Sequence, residues 1–498
     1  MIEFFDNRLN PLLVRDLRQF VRSRFIVVLI NLYVVALVIA CLVVLVFTPL
    51  SDSMTQGKNL LAALSYISFL TCFFAVVIRT AWSSASEKAN EDLMLFTGMT
   101  PSTIVFGKIL SGITCSLIIL TTTIPFVTVA YMLRGVEPKT TIILFIEIFL
   151  FIQALNCLAV FSAASSKTKN AVVHTLFTVC LIFLLTHNII IPLILQATYI
   201  ISPHAISIFL QYLLITIEIS ALITCGAIVS LSPPNSNSLL PMRILLTTLF
   251  LINTIITIAA TGQTSYYYFI AGITCLILCI TTLTTTREPE QWSIRIRQNL
   301  PKSIFKRIII FPFYTGASCG VAWNIMMIAL VAIIEITLHN TPENTLFNIY
   351  YEDNNIKMPL ITGILAFTFN YAITAMLIRS WLLKKLSPKY TILIAFGLLL
   401  TFSLGSLLLY LLLASNLDNL NPLNDNFINL LVAYTQNPLS ALNPFCDVTT
   451  IHYNIRPHFQ NLRIAGIIIW LIILIPFLVK WYAKQIKNFN KNIEEIRN

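Results

Sequence analysis

The sequence predicts an all-α, polytopic membrane protein with about twelve membrane-spanning helices. Of its 498 residues, 57% are hydrophobic and only 11% are charged, whereas soluble domains carry roughly 25% charged residues. The apolar residues form runs of about 20, the length that a helix needs to cross a hydrocarbon core of about 30 Å. Because the runs are unbroken, they exclude the alternating pattern of a membrane β-barrel. The spans are therefore predicted to be helices.

The apolar runs divide evenly along the chain, which predicts two membrane domains of six helices each, residues 1–231 and residues 232–498. The first run follows a cluster of arginines and is too long for the apolar core of a signal peptide, so a retained first span is expected. The predicted spans are 25–48, 60–82, 103–133, 140–163, 171–196, 206–231, 240–261, 264–285, 320–339, 358–384, 391–414 and 461–483.

The basic residues predict the orientation of the chain. With the N-terminus inside, about 26 of the 32 Lys and Arg residues lie in cytoplasmic segments or at their membrane boundary. The exceptions are Lys58, Arg134, Lys139, Lys357, Arg456 and Arg463. Because positive charge concentrates in cytoplasmic loops, we expect both termini in the cytoplasm of a multi-pass plasma or inner membrane protein. The net charge of +11 then reflects topology and predicts no nucleic-acid partner.

Residues 10–24 are predicted to form an amphipathic, basic helix that lies on the inner surface of the bilayer before the first span. Asn10 suits the N-cap position and Pro11 the first helical turn. The apolar stripe contains Leu13, Leu17, Phe20 and Val21. The basic stripe contains Arg15, Arg18 and Arg22. A generic positive cluster beside the membrane is the alternative interpretation.

Residues 86–107, between the second and third spans, are predicted to contain a short cytoplasmic helix. Ser86 suits its N-cap and Glu87 its first turn, where negative charge is favourable. Gly98 suits the position that ends it, and Thr100 with Pro101 is expected to start the next helix. Residues 93–96 add an apolar patch to this charged segment, which indicates a surface for a partner protein.

This order of segments resembles the membrane subunit, or permease, of ABC transporters of the type-two exporter class. In that family the first amphipathic helix is the elbow helix, and the segment between spans two and three is the coupling helix that docks on an ATP-binding subunit. The matching elbow positions are Asn10, Pro11, Arg15 and Arg18, with Arg22 on the same stripe. The coupling candidates are Glu87, Glu91, Asp92, Leu93, Leu95, Phe96, Thr100, Pro101, Gly107 and Lys108.

The resemblance covers residues 1–231 and implies an exporter that is driven by a separate ATP-binding subunit, in a lipid bilayer. Whether a second permease chain belongs to the complex is left open. Gly107-Lys108 is followed by Ile109 and lacks the spacing of a Walker A loop. We therefore expect that the chain is not an enzyme and that it binds no cofactor or metal itself. ATP is expected to be used by the partner subunit. Residues 232–498 are either a degenerate second permease half or an unrelated bundle, because their basic segment 287–313 lacks the acidic coupling motif.

Ionisable residues inside predicted spans are candidates for function because they are costly to bury in lipid. They are Glu147, Glu218 and Glu335. These side chains either line a polar translocation path or hydrogen-bond between helices. Arg79 and Lys108, close to the inner boundary, are expected to snorkel to the headgroups.

Residues 316–320 match the nucleophile pattern G-x-S-x-G. That mechanism needs a strand-to-helix turn, whereas these residues lead into an apolar run, so close packing of two helices is the prediction. The alternative function for the whole chain is an ATP-independent secondary transporter. A membrane enzyme acting on lipid-linked substrates ranks third, because the predicted outer loops offer only scattered carboxylates and histidines.

Overall fold

The computed structural model describes residues 10–47, 53–133, 136–166, 172–183, 205–233, 236–259, 275, 277–285, 288, 303–339, 360–383, 387, 390–415 and 469–483. All regular structure in these residues is helical. The chain divides into two compact units, Met1–Pro233 and Pro234–Asn498.

The first unit opens with the amphipathic helix, followed by spans and the short helical segment between spans two and three. Its elements are α1 (Pro11–Arg22), α2 (Arg24–Phe47), α3 (Ser53–Cys72), a π-helical segment (Phe73–Ile78), α4 (Arg79–Ser86), a 3-10 turn (Glu87–Asn90), α5 (Glu91–Phe96), α6 (Pro101–Met132), α7 (Pro138–Ser165), α8 (Val172–Phe183) and α9 (Ala205–Leu231).

The regular structure described in the second unit is also helical, and it includes residues 277–285. Its elements are α10 (Leu239–Ala259), α11 (Ile304–Ile310), a 3-10 turn (Phe311–Phe313), α12 (Ala317–His339), α13 (Leu360–Trp381), α14 (Thr391–Ser415) and α15 (Ile469–Ala483).

Eight helices in the described residues are long and apolar enough to cross a membrane. They are Arg24–Val46, Thr55–Ser86, Pro101–Met132, Thr141–Ser165, Leu213–Leu231, Leu239–Ile256, Ala317–Ile334 and Thr362–Trp381. Three shorter apolar helices, Val172–Phe183, Thr391–Phe402 and Ile469–Ala483, fall within predicted spans 171–196, 391–414 and 461–483. Most of the predicted span 264–285 lies outside the described residues. The chain is thus an all-α, multi-pass membrane protein, and the count of twelve stays a prediction.

Helix caps in the first unit follow the predicted chemistry. Asn10 caps α1 by accepting a hydrogen bond from the Leu12 amide, with Pro11 in the first turn. Thr100 caps α6, with Pro101 in its first turn. Because the first amides of a helix have no partner within it, these side chains define where each helix begins. The predicted cap at Asn10 and the predicted start of a helix at Thr100 and Pro101 are confirmed.

The core of the first unit combines apolar packing with a buried hydroxyl cluster. Phe73 of the π-helical segment stacks on Phe183 of α8 with ring centroids 3.8 Å apart. The hydroxyl of Tyr33 on α2 bonds Ser68 of α3 at 2.9 Å and also Thr123 of α6. Because buried hydroxyls need partners, this cluster joins three spans at one level.

A buried ion pair organises the described part of the second unit. Arg243 of α10 pairs with Glu288 and donates to the carbonyls of Pro312 and Tyr314. The second carboxylate oxygen of Glu288 accepts from the Gly316 amide at 2.8 Å. Burial raises the pKa of the Glu288 carboxyl, while the Arg243 charge and the Gly316 amide oppose that rise. The pair thereby holds the segment that precedes α12 against α10.

Gly316 directly precedes α12 and residues 317–320 form its first turn, so the motif lies at no strand-to-helix turn. A Cβ at Gly320 would lie 2.8 Å from Thr285 Cβ and 2.9 Å from Arg243 Nη2. Asn324, one turn later, donates to the Thr285 hydroxyl at 3.0 Å. The small residues therefore permit a close approach, and the packing interpretation of this motif is confirmed.

Candidate functional site

The candidate site lies where α1 docks against the start of α6, beside the segment that links spans two and three. The Asn10 amide donates to the Thr103 carbonyl at 2.6 Å. Gly107 permits the contact, because a Cβ there would lie 2.7 Å from Asn10 Nδ2 and 3.0 Å from Leu12 Cβ. The matching elbow position Asn10 and the matching coupling position Gly107 are thus direct neighbours.

Glu87 lies at the centre of the site, between two cations from different helices. Its Oε1 accepts a hydrogen bond from Arg15 of α1 at 2.7 Å. Its Oε2 lies 3.2 Å from the ammonium of Lys108 on α6, an ion pair without hydrogen-bond geometry. Lys108 is buried, with 5% of its surface exposed. We call Arg15, Glu87 and Lys108 the charge junction.

Burial and neighbouring charges shift the pKa values of Glu87 and Arg15 in opposite directions. Burial alone would raise the pKa of the Glu87 carboxyl, but Lys108 and Arg15 outweigh it, so that pKa lies below its usual value. Burial likewise would lower the pKa of Arg15, but Glu87 and Asp16 outweigh it and the pKa is raised. The two shifts both favour the charged forms, so Glu87 and Arg15 are charged at neutral pH.

Asp16 and Arg79 extend the site along α1. Asp16 is 4% exposed, and its carboxylate accepts from Arg15 at 3.0 Å. Arg79 of α4 donates to the Asp16 carbonyl at 2.9 Å and stacks over the Phe20 ring at 4.9 Å. A guanidinium over an aromatic face is attractive. Arg79 therefore holds α1 against the end of span two.

Lys88 ties the same segment to a third helix. Its ammonium donates to the carbonyls of Ala163 and Ala164 at 2.8 and 2.6 Å. These carbonyls belong to the last turn of α7, where a helix carries partial negative charge. The turn that holds Glu87 and Lys88 is thus anchored to α1, α6 and α7.

The short helix α5, which follows this anchored turn, ends in an exposed apolar side chain. Phe96, its last residue, is 87% exposed. Gly98 then adopts φ +83°, and its amide bonds the Leu95 carbonyl, so Gly98 ends the helix as predicted. Leu95 is half-buried. The side chains of Glu91, Asp92 and Leu93 lie outside the described residues.

Three details of the sequence interpretation are wrong. Ser86 is the last residue of α4 and caps no new helix; its hydroxyl donates back to Ser83. Span two extends as a helix to Ser86, so the short helix begins only at Glu91. Val21 is exposed, while Asp16 takes a place on the buried face of α1.

The expectation that Arg79 and Lys108 snorkel to the headgroups is also wrong. Both cations lie in the site: Lys108 pairs with Glu87, and Arg79 donates to the Asp16 carbonyl. A carboxylate or carbonyl in direct contact stabilises each cation more than a distant headgroup would. The attraction is stronger at short distance and where solvent is partly excluded. Of these partners, Asp16 could have been found in the sequence, since it is the single acidic residue of 10–24.

The intramembrane candidates lie on three different helices. Glu147 is buried within α7. Farther along α7, Gln153 donates to Ser116 of α6 at 2.7 Å, and Asn156 donates to the Ile109 carbonyl at 3.3 Å. Glu218 is half-buried in α9. Glu335 lies in α12, but its side chain lies outside the described residues.

Comparison of the chain with protein-family models, with curated proteins and with solved structures gives no match. The resemblance to ABC permeases therefore rests on the order of the helices and on the residues of α1 and of 86–107. What the structure establishes is a multi-pass helical membrane protein.

Proposed function

We propose that this chain is the membrane subunit of an ATP-driven (ABC) transporter, an exporter, and that a separate ATP-binding subunit docks on residues 86–107. In this proposal residues 1–231 form the permease domain. The chain has no ATPase site of its own, and ATP is bound and hydrolysed by the partner. The observation that carries the proposal is the charge junction, which joins the predicted elbow helix to the predicted coupling segment.

The exposed end of α5 supports the docking role. Phe96 presents an aromatic ring that is 87% exposed, at the end that the basic residues predict to be cytoplasmic. Exposed aromatic residues beside charged ones are typical of protein interfaces. A pocket on an ATP-binding subunit would cover this ring.

The anchoring of the segment supports a mechanical role. A force on α5 passes through Glu87 to Arg15 on α1 and to Lys108 on α6, and through Lys88 to the end of α7. Coupling between sites travels through such packed and ion-paired contacts when the helices have two arrangements. ATP-driven movement of the partner would thus tilt α6 and α7 together.

Site-specific photo-crosslinking tests this proposal. A benzophenone amino acid at position 96 of the full chain, in its native membrane, is expected to capture a protein that hydrolyses ATP. The same probe at Met132 is the matched control, because Met132 is also exposed but lies about 45 Å away at the far end of α6.

Capture of an ATPase at position 96 and not at position 132 supports the proposal. Crosslinks only to lipid at both positions would contradict it and would favour the ATP-independent transporter. Equal capture at both positions would also contradict it, since one soluble ATPase cannot reach both ends of a span.

A further inference from the structure

A basic cleft of about 550 Å³ lies beside α1, and we propose that it binds the phosphate of an anionic phospholipid headgroup. The polar side chains that line it belong to α1 and the residue that follows. They are Arg15, Arg18, Gln19, Arg22 and Ser23. This site is separate from the proposed docking of an ATPase on α5, and it would stand if that docking failed.

The spacing of the arginines suits a phosphate ligand. Arg15, Arg18 and Arg22 are three, four and seven residues apart, so they share one face of the helix. They span about 10 Å along its axis, the scale of a headgroup and its glycerol. Guanidinium groups bind phosphate oxygens through paired N–H donors. The Gln19 amide and the Ser23 hydroxyl add neutral donors.

No carboxylate is among the described residues that line the cleft. The Asp16 carboxylate is buried and accepts from Arg15, whose guanidinium also bonds Glu87. Arg18 and Arg22 are exposed. These two guanidinium groups, with no carboxylate in the described lining, make the cleft complementary to an anion.

Its position favours a lipid over a soluble anion. Ser23 alone separates α1 from α2, and α2 contains the first candidate membrane span, Arg24–Val46. The cleft therefore lies at the edge of the bilayer, where lipid phosphates are concentrated. Pro11 and Val14 add apolar surface to the described lining, which suits the glycerol and upper acyl chain.

The occupied cleft would also contact the charge junction. Arg15 lines the cleft and bonds Glu87 at 2.7 Å. A bound lipid phosphate would thus touch the residue that links α1 to the segment 86–107.

Native mass spectrometry of the purified full chain, titrated with phosphatidylglycerol, tests the site. We expect Arg22→Gln to weaken the first bound phosphatidylglycerol about tenfold, the loss expected for a charge-assisted contact. Arg24→Gln is the matched control, because Arg24 is also exposed and basic but does not line the cleft. It should change the affinity less than about twofold. Phosphatidylcholine, which has no net charge, should bind more weakly to the unaltered chain.

Equal losses in the two variants would overturn the proposal, since they would indicate diffuse attraction of the basic surface. No loss in either variant would overturn it as well. Displacement of the lipid by inorganic phosphate at millimolar concentration would identify a soluble anion as the ligand and would contradict the lipid assignment. Both arginines are exposed, so both variants should elute in size-exclusion chromatography as the unaltered chain does.

Discussion

Glu87 lies between two cations that come from different helices, Arg15 on α1 and Lys108 on α6. The two contacts differ in exposure: the Arg15 side chain is 38% exposed and the Lys108 side chain 6%. An exposed pair contributes little because water screens it. A buried cation whose partner is removed keeps its full desolvation cost. Replacing Glu87 should therefore destabilise the folded protein mainly because Lys108 loses its partner.

We expect Glu87→Gln to destabilise the protein by about 1–3 kcal/mol, because the buried Lys108 ammonium would lose its carboxylate. Adding Lys108→Met should recover part of that loss, since an apolar side chain does not need a charged partner. Thermal unfolding in detergent measures Glu87→Gln, Lys108→Met and the double variant, and Glu137→Gln, at an exposed glutamate, is the control. A double variant whose loss equals the sum of the single losses would contradict the ion pair.

The pH dependence of Glu87 follows from its lowered pKa. The ionised carboxylate stabilises the folded state above the unfolded pKa of about 4.3, and this contribution is lost as the pH falls through the lower folded value. The gap in melting temperature between the unaltered chain and Glu87→Gln should therefore persist at about pH 5.5 and close only in stronger acid. A gap that closes between about pH 7 and 6 would indicate a raised pKa and would contradict this account.

At the scale of helices, the docking of α1 on α6 depends on a close approach at Gly107. The Asn10 amide, which also bonds the Thr103 carbonyl, occupies the space that a Cβ would need. Arg79 and the charge junction add polar contacts around this point. α1 is therefore held by one face, with Leu12, Leu13 and Phe20 buried.

Gly107→Ala should loosen α1, because the new methyl group would displace Asn10 from Thr103 and crowd Leu12. Hydrogen exchange of the α1 amides should then be faster. Gly397→Ala in α14 is the matched control, since nothing lies within 4 Å of its Cβ position. It should be neutral or stabilising by about 0.5–1 kcal/mol, the usual effect of replacing a helical glycine. Unchanged exchange in α1 of Gly107→Ala would show that the docking tolerates a side chain.

At the scale of the whole molecule, the sequence predicted the features that depend on local chemistry. Helical spans, the caps at Asn10 and Thr100 and the helix end at Gly98 each follow from a few neighbouring residues. The side chains that α1 buries were predicted only in part, because Asp16 lies on that face.

Contacts between distant residues were not predicted. Arg15 and Glu87 are 72 residues apart, and only the packing of α1 against α4 and α6 brings them together. The same holds for Arg243 and Glu288 in the second unit, 45 residues apart. The π-helical segment Phe73–Ile78 follows an apolar pattern that fits an α-helix equally well. Long-range pairing has no signal in a single sequence, so these features required the structure.

Docking of a separate ATPase on the exposed end of α5 can be tested by affinity purification of the full chain in mild detergent, followed by an ATPase assay of the eluate. We expect an ATP-hydrolysing subunit to co-purify with the unaltered chain and to be lost with Phe96→Asp. Val21→Ser, at an exposed apolar residue of α1, should retain it. An eluate without ATPase activity from the unaltered chain, or equal activity from Phe96→Asp, would contradict the account.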